Sequence, residues 1–117
     1  MIPERSVELG RLIGQSEEFQ TWKRANDGLK DEPELRTQLE RLRNLEITLS
    51  EQLERGETLS PQQKDELDQV QGTVQSSAAF QRLVAAQSNY DKLMVKVQQW
   101  IAEGITKGAG SRIITLG

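Results

Sequence analysis

The sequence contains neither cysteine nor histidine. The first absence removes disulfides, thiolate nucleophiles and thiolate metal sites; the second removes imidazole bases and most transition-metal sites. Aromatic side chains are scarce: two Trp, two Phe and one Tyr. No apolar run approaches the ~18 residues of a membrane-spanning helix, so no membrane insertion is expected. The N-terminal MIPERSVELG is charged and has no apolar centre, so it does not read as a secretory signal. No segment shows strand periodicity, no repeat is evident, and cationic residues are too dilute for a nucleic-acid footprint.

What remains is a helical chain. Its 117 residues predict one domain, at 35% apolar and 28% charged residues. That composition gives a thin core, of the kind that gains buried surface by oligomerising. The net charge of −3 is unevenly spread. Residues 1–80 carry 10 Lys/Arg against 16 Asp/Glu, whereas residues 81–117 carry 5 against 2. Opposite-sign faces of two copies can therefore attract.

The longest uninterrupted helical pattern is Ala78 to Lys107. Phe80, Leu83, Val84, Tyr90, Leu93, Met94, Val97, Ile101 and Ile105 recur in steps of three and four, with Gln87 as the polar exception. Ahead of it, a short first helix is expected over about 4–14. Ser16 reads as the N-cap of a second helix reaching about Lys30, with Glu17 and Glu18 placed to suit its dipole. Asp31 reads as the next cap, with Pro33 in the first turn and Glu34 reaching back. The third helix, to about Arg55, carries the stripe Leu35, Leu39, Leu42, Leu45, Leu49 and Leu53. Glu32–Arg36 and Glu51–Arg55 are spaced as i,i+4 ion pairs. Gly56 ends it, and Ser60-Pro61-Gln62-Gln63 is a capping box opening a fourth helix to about Val74. Ser76 and Ser77 cap the last helix. Gly108-Ala109-Gly110-Ser111 has the composition of a flexible linker, so 108–117 is expected to be a tail, and 1–107 a single helical domain.

No constellation announces chemistry. Glu17/Glu18 and Asp65/Glu66/Asp68 sit in or near first turns, where the helix dipole accounts for them, and adjacent helical residues point about 100° apart. The charged run around Glu51, Glu54 and Arg55 reads as a solvated face. Nine of the thirteen Gln lie between Gln62 and Gln99, as a soluble helix surface or as interhelical hydrogen bonds at an oligomer seam. Trp22 shares a face with Phe19 and Leu29 and reads as core. Trp100 widens the apolar face near the end of the last helix, where a partner is as natural a neighbour as the chain itself.

Three stretches carry a resemblance to a known family. LGRLIGQSEEFQTWKRANDGLKDEPELRTQLERL, with its Ser16-Glu17-Glu18 start, mid-helix Ala25 and acidic Asp31–Glu34 opening, resembles the N-terminal half of YlbF/YmcA-like proteins. GETLSPQQKDELDQVQ is similar to their turn and following helix, and FQRLVAAQSNYDKLMVKVQQWIAEGI to their long last helix. The resemblance covers roughly residues 7–105. It implies a small, all-helical, cytoplasmic bacterial protein that self-associates. It further implies a non-catalytic regulator of competence, sporulation or biofilm formation, acting with a protein partner on mRNA processing by a membrane-anchored ribonuclease. Some members hold iron–sulfur clusters through cysteines; this chain has none, so no cofactor and no metal are expected.

The resulting expectation is an all-α antiparallel bundle of about five helices. Two long helices, about 32–55 and 78–107, form its spine, and the Leu stripe of the first covers the beginning of the second. The chain is expected to be a regulatory protein–protein interaction module, the alternative being a structural or chaperone-like scaffold. It is expected to act as a homodimer or higher oligomer, without direct nucleic-acid binding. Tyr90, Met94, Val97, Trp100, Ile101 and Ile105 are the candidate interface.

Overall fold

The computed structural model describes residues 1–116, the last six of them by backbone alone. The described chain is all helical: α1 (Ile2–Gln15), α2 (Glu17–Gly28), a 3-10 turn (Leu29–Asp31), α3 (Pro33–Glu54), α4 (Pro61–Gln75) and α5 (Ala78–Leu116). The expected all-α architecture of five helices, the last the longest, is borne out.

Local chemistry explains most helix ends. Ser16 accepts from the Phe19 backbone N–H at 3.2 Å and starts α2. At Ser60 both halves of the capping box form: its hydroxyl accepts from the Gln63 N–H at 3.1 Å, and its N–H donates to Gln63 Oε1 at 2.9 Å. α3 ends in a Schellman motif. Gly56 takes φ +79°, its N–H donates to the Leu53 carbonyl and the Glu57 N–H to the Gln52 carbonyl. Replacing Ser60 by Ala should cost about 1 kcal/mol in a denaturant titration, the usual worth of a lost N-cap.

Two boundaries differ from the sequence-based expectation. The cap of α3 is Glu32 instead of Asp31, and it makes no side-chain cap bond. Pro33 forces the residue before it out of the helical region, so the break falls at Glu32, at φ −126°. Asp31 closes the 3-10 turn. At the other end, α5 runs on through Gly108, Ala109 and Gly110, where the sequence predicts a linker. Glycine weakens a helix by about 1 kcal/mol but does not stop it without a left-handed turn or a following proline. The side chains of the rest of the expected tail, from Ser111, lie outside the described residues.

The helices pack as two hairpin-like halves. α3 packs on α4, and α2 packs on α5. Leu35, Val70 and Val74 form the buried cluster of the first half, flanked by Leu29, Leu39, Leu42, Leu45, Ala79 and Phe80. The Leu stripe of α3 thus faces α4 and meets only the first turn of α5, where the sequence suggests longer contact. The shape is elongated, 69 × 39 × 20 Å, with a radius of gyration of 21.5 Å. A compact chain of this size would have about 13 Å. Of the expected ion pairs on α3, neither forms. Arg55 instead meets Glu57 at 3.2 Å, and Arg41 reaches across to Glu66 on α4 at 2.8 Å.

Candidate interaction surface on α5

The α2–α5 contact is built around three of the five aromatics. Phe19, Trp22 and Tyr90 stand with ring centroids 5.7–5.9 Å apart, Trp22 stacked on Tyr90 and Phe19 edge-on to it. Such pairs add roughly 0.5–1.5 kcal/mol to the burial itself. The Trp22 indole N–H donates to Gln87 Oε1 at 2.6 Å, and Gln87 Nε2 donates to Asp91 Oδ1 at 2.9 Å. This gives the one polar position in the α5 stripe its purpose: it pairs the indole of the facing helix. Moving up α2 from Phe19 to Trp22 moves down α5 from Tyr90 to Gln87, so the two helices are antiparallel. Gln87→Leu should cost about 1 kcal/mol by removing the indole's partner, read as a lowered unfolding midpoint.

The stripe continues past this contact. Ala86 and Val97 are buried, and Tyr90, Leu93 and Met94 are half-buried. Beyond Val97 the cover ends. Trp100 is 59% exposed, Ile101 47% and Ile105 67%. The six expected interface residues therefore divide. Tyr90, Met94 and Val97 belong to the inner part of the stripe, Tyr90 within the aromatic cluster. Trp100, Ile101 and Ile105 carry the same helical face outward with nothing on it. Glu103 and Lys107 pair at 2.9 Å along this end, both largely exposed. A separate shallow groove, lined by Val84, Ser88, Asp91, Val95 and Gln99, runs along another side of α5.

The sequence predicts α1 as a short helix over about 4–14; in the structure it begins at Ile2. It has no buried residue and packs on α2, leaving Ile2 and Leu12 exposed while Leu9 and Ile13 are half-buried. The signal was present in the spacing of Ile2, Leu9, Leu12 and Ile13, which defines an apolar helical face wider than one neighbour covers. Its charges are settled locally. The Arg11 guanidinium donates to Glu8 and holds that carboxyl below the ordinary range, and the N-terminal ammonium does the same for Glu4. Both carboxylates are thus more stable ionised in the folded chain, so their contribution is present at neutral pH and is lost as pH falls through the carboxylate range. Amide signals of α1 should accordingly lose helical character in acid before those of the α3–α4 core.

Among the described residues no group of three or more carboxylates is placed to hold a metal ion. With no cysteine in the chain, the thiolate set that binds an iron–sulfur cluster is not available. No described helix is long and apolar enough to cross a membrane.

A family model described as control of competence regulator ComK, YlbF/YmcA, matches residues 2–106. The chain belongs to the YlbF/YmcA family. The matched span takes in α1 through α4 and α5 as far as the exposed Trp100–Ile105 end. A solved structure of a protein of unknown function (DUF964) from Bacillus stearothermophilus aligns with this YlbF/YmcA chain at a TM-score of 0.65. The alignment covers 90% of this chain and 92% of that one at 21% identity, a likeness of fold. A comparison with curated proteins finds no match.

Proposed function

We propose that this YlbF/YmcA chain is a non-catalytic regulatory protein of the cytoplasm, working through protein–protein contacts. In this reading it binds a further copy of itself and other proteins by the uncovered end of α5. The observation that carries the reading is the abrupt loss of cover along one continuous stripe. Val97 is 5% exposed, and Ile105, two turns further on the same side, is 67% exposed. Large apolar groups clustered on an otherwise polar surface mark interaction sites, and Trp is the residue most enriched at their energetic centres. The family's tie to control of ComK supports a regulatory role. The absence of His and Cys removes the commonest catalytic bases and nucleophiles.

The test is affinity capture from the lysate of the source organism, with the wild-type chain and a Trp100→Glu/Ile105→Glu variant side by side. The reading expects one or a few defined proteins on the wild type and their loss from the variant. Equal capture by both would remove the α5 end from the account. General suppression of aggregation of unrelated unfolded proteins would point instead to a chaperone-like scaffold.

A further inference from the structure

We draw no further inference here: the strongest candidate, the shallow groove along the side of α5 lined by Val84, Ser88, Asp91, Val95 and Gln99, is an unpartnered helix face, and nothing in the structure shows what covers it.

Discussion

Replacing Val74 by Asp should unfold the α3–α4 half of the molecule. Val74 is 1% exposed and packs with Val70 and Leu35, which are 1% and 7% exposed. The carboxylate would find no partner there. No polar or charged side chain is buried among the described residues, and the α3–α4 ion pair, Arg41–Glu66, lies on the surface. An unpaired buried charge costs several kcal/mol, and the lost valine burial adds about 1.5 kcal/mol. Against a typical total stability of 5–15 kcal/mol, and with only six apolar residues buried in the described chain, that is enough to abolish cooperative folding. Val74→Ala, which only opens a cavity, should cost about 2 kcal/mol and leave the fold intact. Circular dichroism through a urea titration distinguishes the two. A wild-type midpoint for Val74→Asp would mean that the core does not lie between α3 and α4.

The second large effect is expected at the opposite end of the molecule, and it should leave stability alone. Trp100→Glu/Ile105→Glu adds two charges where the single chain exposes both side chains to water. Exposed substitutions of this kind change unfolding free energy by about 0.5 kcal/mol or less. If the α5 end is a protomer contact, the same change removes two large apolar groups from it and leaves carboxylates facing apolar surface. Each apolar group is worth about 1.5–3 kcal/mol when buried, so the dimer dissociation constant should rise at least 100-fold. The pair of readouts separates interface from core. An interfacial end gives a monomer with an unchanged monomer unfolding midpoint, whereas a core position gives a destabilised chain at every concentration.

Helix number and most boundaries were legible because cap chemistry is local. Ser16, Ser60-Pro61 and Gly56 act through bonds that span no more than a few residues, so their signatures sit whole in the sequence. The Asp31 misplacement came from the same source, since the steric demand of Pro33 on Glu32 outweighs a good capping side chain one residue too early. Helix partners were less legible. The Leu stripe of α3 states that one face is covered without stating by what, and α4, with only Leu67, Val70 and Val74 on its apolar side, proves to be its main cover. Gln87 shows the limit most clearly. As a lone polar residue in an apolar stripe it looks like a gap, and only the position of Trp22, 65 residues earlier, reveals the hydrogen bond it supplies. The outer half of the α5 stripe was legible as apolar. Its exposure was not, because periodicity is the same whether a face meets its own chain, a partner or water.

The account rests on a second protein covering the Trp100–Ile105 end of α5, and a second copy is the simplest such cover. Light scattering on the purified wild-type chain at micromolar concentration tests this most directly. The account predicts twice the 13.2 kDa chain mass, or a higher multiple. A particle of 13.2 kDa would contradict it.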